Sequence, residues 1–166
     1  MKTSLNGKIF VEKTHPRIIL RGKLDALNAR IVLLQSEFKN QKFINHLEEI
    51  RLVILKLMRC EVTGENYGEL DLFGINEREI HERSHNPEKY YDFPGHVMPH
   101  YSMGIEAAQI NLLRTEVREI EIIAYQAFNE NNFTHVLNRL SSALYILIYE
   151  YLPEKYDKFL SFANKK

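Results

Sequence analysis

Apolar residues recur every three or four positions along most of the chain, which is the spacing of one face of an amphipathic helix. Where this spacing breaks, turn-forming residues follow, as at Thr63-Gly64. Ser102 and Asn132 are predicted N-caps of the third and fourth long helices, because their side chains can accept from free backbone amides. The four predicted long helices run from Arg17 to about Asn40, from about Phe43 to just before Thr63, from Ser102 to Asn129, and from Phe133 to about Tyr151.

Shorter elements connect and close these helices. INEREIHERS, residues 75–84, predicts a short polar helix that Asn86-Pro87 halts. Residues 63–101 otherwise read as an irregular connection, with only loop between Pro87 and Ser102, and a short last helix is predicted from Lys155 to Phe162. No segment shows convincing alternation with period two. The pattern indicates a single all-α domain, residues 1–166, built as an up-and-down bundle of four or five helices.

Composition excludes several classes of protein. The 166 residues are 45% hydrophobic, enough for a sizeable core, and 22 basic residues balance 22 acidic ones. No net charge draws the chain to nucleic acid or to a membrane surface, so a bound anion needs a local cluster. The chain has no apolar run of about 18 residues and no signal-like start, which predicts a soluble, cytoplasmic protein. The single cysteine, Cys60, is predicted to be a buried, inert thiol.

The stretch HERSH, His81 to His85, spells the HExxH of zinc metalloproteases. Such a motif needs a helix that continues rigidly through both histidines, whereas Pro87 follows two residues after His85. A polar surface helix fits better. A histidine metal site that also uses His96 and His100 stays the minor alternative, because loop histidines usually bond to backbone or solvent.

Charged residues stand beside the apolar faces of three predicted helices. Arg114 and Arg118 are four residues apart, Glu121 is three further on, and these three share a helix face. Asp25 on the first helix and Asn138 on the fourth are further polar candidates. Solvated salt bridges would explain the set. The sharper alternative is an anion cradle in which paired guanidinium groups hold a polyphosphate, although no P-loop, GxGxxG or GxSxG signature is present.

Five segments together resemble the corrinoid adenosyltransferases, also called ATP:cob(I)alamin adenosyltransferases, most closely the ethanolamine-utilisation type. They are THPRIILRGKLDALNARI, MRCEV, IHERSHNPEKYY, HVMPHYSMGIEAAQINLLRTEVREIEIIAYQAF and VLNRLSSALYILI. The resemblance covers about Thr3 to Tyr149. It also implies that SHNP is part of the family's sequence pattern and is not a protease site. It implies a five-helix bundle that forms homotrimers with sites between subunits. It also implies transfer of the 5′-deoxyadenosyl group of ATP to the cobalt of cob(I)alamin, which yields adenosylcobalamin and triphosphate.

The resemblance carries roles to matching residues of this chain. Arg114 and Arg118 match an RTxxR pattern and would contact the triphosphate. Asp25, from a GxLDxLN block, would pair with Arg114 across the subunit boundary. Arg114, Arg118 and Asp25 form the expected catalytic set. Glu121 would lie near Mg²⁺ brought by ATP, with no histidine or cysteine metal ligand. The remaining expected ATP residues are Thr3, Ser4, Lys13, Arg17 and Asn138.

The corrinoid side is expected on the loop from Phe93 to Tyr101. The related propanediol-utilisation type uses a phenylalanine there to keep the corrinoid four-coordinate, and His96 stands at the corresponding position. His96 could ligate cobalt, or Phe93 or Tyr101 could form the apolar wall. A plain surface loop is the alternative.

The amino-terminal region departs from the relatives. The sequence contains neither their TxTGDxG segment nor the His and Cys metal motif of longer ethanolamine-type proteins. Residues 1–16 would be a remnant of the nucleotide loop, and phosphate binding would rest more on Lys13, Arg17, Arg114 and Arg118. A flavoprotein reductase is an expected partner. The alternative functions are a non-catalytic corrinoid carrier or chaperone that kept the bundle, and a helical adaptor without ligands.

Overall fold

The computed structural model describes residues 1–5, 7–93, 95–154 and 156. Five α-helices dominate these residues, which confirms the predicted all-α fold. The α-helices are α1 (Pro16–Glu37), α2 (Gln41–Thr63), α3 (Glu77–His85), α4 (Ile105–Phe128) and α5 (Asn132–Tyr151). The predicted last helix, residues 155–162, lies outside the described residues apart from Tyr156. None of the helices in the described residues is long and apolar enough to span a bilayer.

The chain also contains two short strands that the sequence pattern did not indicate. Two short strands, β1 (Lys2–Ser4) and β2 (Phe10–Glu12), pair antiparallel with Thr3 opposite Val11. Three residues are too few for a period-two pattern to stand out, and neither strand contains a buried residue, so no apolar alternation marks them. Directly after β1, the amide of Leu5 donates to the carbonyl of Ile9, the residue before β2, at 2.7 Å.

The described residues form two compact units. Unit 1 comprises Met1–Glu69 and Arg118–Asn138, and unit 2 comprises Leu70–Val117 and Arg139–Lys166, described as far as 154 and at 156. Helices α4 and α5 each contribute to both units. That residues 1–166 form a single domain stays a prediction.

The core of unit 1 forms where α1 packs on α2. Both helices bury residues spaced by three or four, as their periodicity predicts. Asn40 caps α2 by accepting from the amides of Lys42 and Phe43, and Gly64 ends it in the left-handed region at φ 75°. Cys60 is 6% exposed, so its predicted burial is confirmed.

Two predicted helix caps were wrong. The chain forms a short 3₁₀ helix, Tyr101–Met103, around Ser102, and α4 begins only after Gly104. At α5 the capping side chain is that of Asn131, whose Oδ1 accepts from the amide of Thr134 at 3.1 Å. Asn132 instead accepts from the amide of Tyr67 at 2.9 Å and donates to the carbonyl of Gly68 at 3.0 Å. A tertiary contact thus decided between two adjacent asparagines.

The connection in unit 2 is more ordered than predicted. Helix α3 has a capping box between Asn76 and Glu79 and stops before Pro87, as predicted. The segment 87–102, predicted to be only loop, contains two 3₁₀ helices, Pro87–Lys89 and Tyr101–Met103. Proline at the first position of the first of them has the required φ and no amide to satisfy.

Candidate functional site

An open cleft of about 740 Å³ lies in unit 1 where the second half of α4 meets the start of α5. The α4 residues in its wall are spaced by three or four, so they share one helix face. The α5 side supplies polar side chains. The lining residues are Arg118, Glu121, Ile122, Tyr125, Gln126, Glu130, Thr134, His135 and Asn138.

Three of the predicted ATP residues come together in this cleft. Asn138 Nδ2 donates to Glu121 Oε1 at 3.0 Å, which orients both side chains. Arg118 lines the same cleft and is exposed. A guanidinium can bind two phosphate oxygens at once, and a carboxylate beside it can bind a cation that accompanies phosphate. The cleft therefore has the side chains to hold an anion with its counter-cation.

Arg114 stands one turn before Arg118 on α4, and in unit 2 it contacts Asn111 and Tyr145. Its Nε donates to Asn111 Oδ1 at 3.2 Å. Its guanidinium carbon lies 5.9 Å from the ring centroid of Tyr145, within the range of a cation–π contact. These contacts limit where the guanidinium can point.

Asp25 lies on an exposed face of α1. No side chain among the described residues forms an ion pair or hydrogen bond with it. The predicted pairing with Arg114 across a subunit boundary stays a prediction.

The amino-terminal ATP candidates belong to the hairpin. Thr3 and Ser4 lie on β1, and Lys13 follows β2 with an exposed side chain. Ser4 Oγ accepts from the amide of Gly7 at 2.7 Å, and the amide of Lys13 donates to the carbonyl of Met1 at 3.2 Å. These contacts tie residues 1–5 and 7–13 into a hairpin, in which the side chain of Ser4 is bonded to the amide of Gly7.

Arg17 is occupied by a buried carboxylate. Its Nε donates to Glu61 Oε1 at 2.6 Å, and Arg21 Nε donates to the other oxygen of the same group. Glu61 is only 1% exposed, so two guanidinium groups compensate one buried charge. Arg17 also lies 5.2 Å from the Phe128 ring and borders a small cavity of about 300 Å³. The structure gives Arg17 a packing and charge-compensating role beside the nucleotide role predicted for it.

The three corrinoid candidates have different environments. Phe93 is 8% exposed and packs its ring edge against Tyr149, with centroids 5.6 Å apart. Tyr101 is 90% exposed. His96 is exposed, and its Nδ1 lies 2.7 Å from the hydroxyl of Tyr145. Of the three, only His96 combines exposure with a fixed polar partner.

The histidines of the HExxH stretch are engaged by neighbours. His81 Nδ1 lies 2.9 Å from a guanidinium nitrogen of Arg139, and His85 Nδ1 lies 2.8 Å from the carbonyl of His81. Their rings contact each other at 4.2 Å. Across the described residues no group of three or more His, Cys, Asp or Glu side chains is placed to hold a metal ion.

Several residues of these sites were missed by the sequence reasoning. Tyr125 follows Glu121 by one turn and His135 precedes Asn138 by three, so helical spacing from the predicted residues could have found both. Tyr145 and Tyr149 are also one turn apart on α5, but nothing local links them to His96. Glu61 had no sequence signal, because its partners belong to another helix.

The described residues thus combine a helical fold with a cleft in unit 1 that brings an arginine, two carboxylates and an asparagine together. The chain belongs to the cobalamin adenosyltransferase family, whose family model matches residues 1–151. The corrinoid adenosyltransferase EutT of Escherichia coli (strain K12) is 36% identical over 153 residues, and that of Salmonella typhimurium (strain LT2) is 37% identical. Each alignment covers 88% of this chain and 57% of the relative, so the chain spans little more than half the length of these proteins.

Solved structures share the fold. A variant of the PduO-type ATP:corrinoid adenosyltransferase from Lactobacillus reuteri, complexed with cobalamin and ATP, superposes with a TM-score of 0.69 at 21% identity, covering 92% of this chain and 91% of that one. An arginine-to-lysine variant of the Lactobacillus reuteri enzyme, complexed with ATP, gives a TM-score of 0.66 at 19% identity, covering 90% and 87%. The predicted family and the predicted all-α bundle are both confirmed.

Proposed function

We propose that the protein transfers the 5′-deoxyadenosyl group of ATP to the cobalt of cob(I)alamin, forming adenosylcobalamin and triphosphate. Family membership supports the reaction class, and the relatives are named for this activity. The observation that carries the proposal is the cleft of unit 1, where Arg118, Glu121 and Asn138 converge.

The reaction sets a narrow task for the protein. Cob(I)alamin supplies the electron pair for the new cobalt–carbon bond, and the pair of the breaking 5′ carbon–oxygen bond leaves with triphosphate. The protein must therefore align the two substrates and stabilise the departing anion. Arg118 suits the second task, since its exposed guanidinium can donate two parallel bonds to phosphate oxygens. Arg114, one turn earlier, would extend the basic row along the chain of phosphates.

The carboxylates of the cleft fit a magnesium ion that arrives with ATP. Magnesium usually keeps several waters and binds through one or two carboxylates plus substrate phosphates. Glu121 and Glu130 supply carboxylates in the same cleft as Arg118. Glu121 would hold the ion beside the phosphates, where it lowers their net charge.

The assembly and setting are further parts of the proposal. Asp25 has no partner among the described residues of its own subunit, which leaves it available to pair with Arg114 of a neighbour. Large apolar side chains on unit 1 helices are exposed, as expected of surfaces that pack in an oligomer. They are Ile19, Val32, Leu33, Leu52, Leu55, Val62, Ile122 and Tyr125. We propose a homotrimer with sites between subunits, cytoplasmic, supplied with reduced corrinoid by a flavoprotein reductase and serving ethanolamine breakdown.

An anaerobic assay tests the reaction. With Mg·ATP and chemically reduced cobalamin, the absorbance of cob(I)alamin should decay as adenosylcobalamin appears. Arg118→Ala should lose about 2 kcal/mol of transition-state stabilisation, which is about 30-fold in kcat/KM. Arg118→Lys should recover only part of this, because an ammonium cannot make the bidentate contact.

Arg78→Ala is the matched control, since Arg78 is an exposed arginine of α3 that is not among the residues lining the cleft. Its kcat/KM should equal that of the wild type. The wild-type protein could instead bind cobalamin tightly in calorimetry but show neither turnover nor heat with Mg·ATP. That result would favour a corrinoid carrier over the enzyme. Unchanged kinetics in Arg118→Ala would remove Arg118 from the site.

A further inference from the structure

A chain of hydrogen bonds runs through unit 2 from His96 to the backbone. His96 Nδ1 lies 2.7 Å from the hydroxyl oxygen of Tyr145. That hydroxyl lies 2.8 Å from the hydroxyl of Tyr149, and Tyr149 donates to the carbonyl of Gly95 at 3.1 Å. The two tyrosines are one turn apart on α5, whereas Gly95 and His96 belong to the loop that packs against them.

The carbonyl at the end of the chain fixes its direction. A carbonyl oxygen only accepts, so the single proton of the Tyr149 hydroxyl is committed to Gly95. Tyr149 must then accept from Tyr145, which commits the single proton of Tyr145. The Tyr145 oxygen can only accept from His96, so Nδ1 of the imidazole carries the proton. The reverse direction would leave the Tyr149 and Gly95 oxygens facing each other without a proton.

The two phenols keep their protons and their positions. Burial raises the pKa of both Tyr145 and Tyr149 above the usual value, so both hydroxyls remain neutral at physiological pH. The Tyr149 ring stacks on Tyr91, with centroids 4.5 Å apart and planes inclined by 9°, and meets the edge of Phe93. The guanidinium of Arg114 lies over the Tyr145 ring. Rigid packing of this kind keeps a hydrogen-bond chain in one register.

We propose that Tyr145 and Tyr149 are positioning residues that hold neutral His96 as the Nδ1–H tautomer, with the Nε2 lone pair presented to an electron-pair acceptor. A hydrogen bond at one ring nitrogen decides what the other can do. With Nδ1 protonated, Nε2 of the exposed ring can accept a hydrogen bond or bind a Lewis acid. Free histidine in water favours the tautomer with Nε2 protonated, so the two phenols reverse the tautomer preference of the free side chain.

The nature of the acceptor rests on the proposed function. A corrinoid offers two groups that take a lone pair, the cobalt of the cob(II)alamin form before its reduction and the N–H groups of its amide side chains. We assign the acceptor to the corrinoid because His96 is exposed and lies on the loop that is expected to face it. The tautomer itself requires no assumption about function.

The tautomer is tested by NMR of protein labelled with ¹⁵N in its histidine rings, with His96→Gln to identify the resonances. Wild-type His96 should show a protonated Nδ1 and an unprotonated Nε2. Tyr149→Phe removes the group that accepts from Tyr145, so the Tyr145 proton can turn to Nδ1 and Nε2–H should become the major tautomer. Tyr145→Phe should return His96 to the preference of free histidine.

Tyr156→Phe is the matched control. Tyr156 donates to the carbonyl of Met98 on the same loop and packs against Phe93, but takes no part in the chain. Its removal should leave the His96 tautomer unchanged. A protonated Nε2 in the wild type, or a Tyr149→Phe spectrum identical to it, would overturn the proposal, because a purely packing role predicts no change at a ring that Tyr149 does not bond.

The ligand is tested with cob(II)alamin. A change in the nitrogen splitting of its EPR spectrum, when ¹⁵N replaces ¹⁴N in the histidines, identifies cobalt as the acceptor. Unchanged splitting with about 2- to 10-fold weaker binding in Tyr149→Phe identifies an amide N–H, since one neutral hydrogen bond is lost. If neither response appears although the wild type turns over, the corrinoid assignment is rejected and the proposed function stands. A wild type that binds no corrinoid rejects the assignment and the proposed function together, while NMR still decides the tautomer.

Discussion

Replacing Glu61 by glutamine tests the buried charge cluster that joins α1 to α2. Both carboxylate oxygens of Glu61 accept from guanidinium groups, one from Arg17 and one from Arg21, and the side chain is fully buried. Glutamine keeps the shape but loses the charge. Its amide NH₂ would also face a guanidinium N–H, so one of the two bonds becomes a contact between donors.

The expected loss is about 3 kcal/mol in the free energy of unfolding. A hydrogen bond to a charged group contributes about 1.5–3 kcal/mol, and breaking a buried ion pair costs about 3–5 kcal/mol. The value belongs near the overlap of these ranges, because the side chains of Arg17 and Arg21 are 24% and 27% exposed and keep part of their hydration. Leaving these two guanidinium groups without a negative partner therefore costs less free energy than it would if they were fully buried.

Urea unfolding measures this loss directly. With a slope of about 2 kcal/mol per M, a loss of 3 kcal/mol lowers the midpoint by about 1.5 M. Glu48→Gln is the matched control, since Glu48 also accepts from two side chains, Gln35 and Arg51, but lies on the surface. Its midpoint should move far less. A shift below about 0.5 M for Glu61→Gln would refute the reasoning, because the buried cluster would then be no better than a surface ion pair.

Three further predictions concern single side chains. Arg17→Ala should destabilise the protein to urea by about 1.5–3 kcal/mol through its bond to Glu61, and a KM for ATP that rises more than tenfold would show that Arg17 binds nucleotide instead. Hydrogen bonds, first from Arg51 and then from Gln35, lower the pKa of Glu48 from 4.5 to about 2. The contribution of Glu48 to stability is therefore present above pH 4.5 and is lost as the pH falls toward 2. The urea midpoints of the wild type and Glu48→Gln should converge over that pH window, and a constant difference between them would contradict the assignment. Asp25→Ala should weaken the proposed trimer, so sedimentation should show smaller species at concentrations where Asp25→Glu stays assembled, and equal profiles would exclude Asp25 from the interface.

The helices were the most predictable part of the fold, for a local reason. Spacing by three and four residues places apolar side chains on one helix face wherever the segment packs, so α1, α2 and α3 begin or end within a few residues of prediction. Gly64 ends α2 because glycine readily adopts the left-handed conformation. Caps were less predictable. Asn131 and Asn132 have the same local chemistry, and only the contact of Asn132 with Tyr67 and Gly68 separates them.

The candidate site was predicted in part. Arg118, Glu121 and Asn138 were each named from the sequence, and the structure places all three in one cleft. Residue type and helical spacing could suggest this, because Arg118 and Glu121 are one turn apart. The cleft itself, with Tyr125 and His135 in its wall, required knowing how α5 lies against α4 in unit 1.

The sequence by itself determined the helical pattern, the family and the residue types able to bind a polyphosphate, because each of these is written in local spacing or in ordered segments. Tertiary structure alone decided which of those residues are already engaged. Arg17 meets Glu61 across 44 positions of the chain, and His96 meets Tyr145 across 49. The charge of a side chain follows from its own chemistry, but its partner depends on which distant segments the fold brings into contact. The partner in turn decides whether a guanidinium is available and which imidazole nitrogen carries the proton.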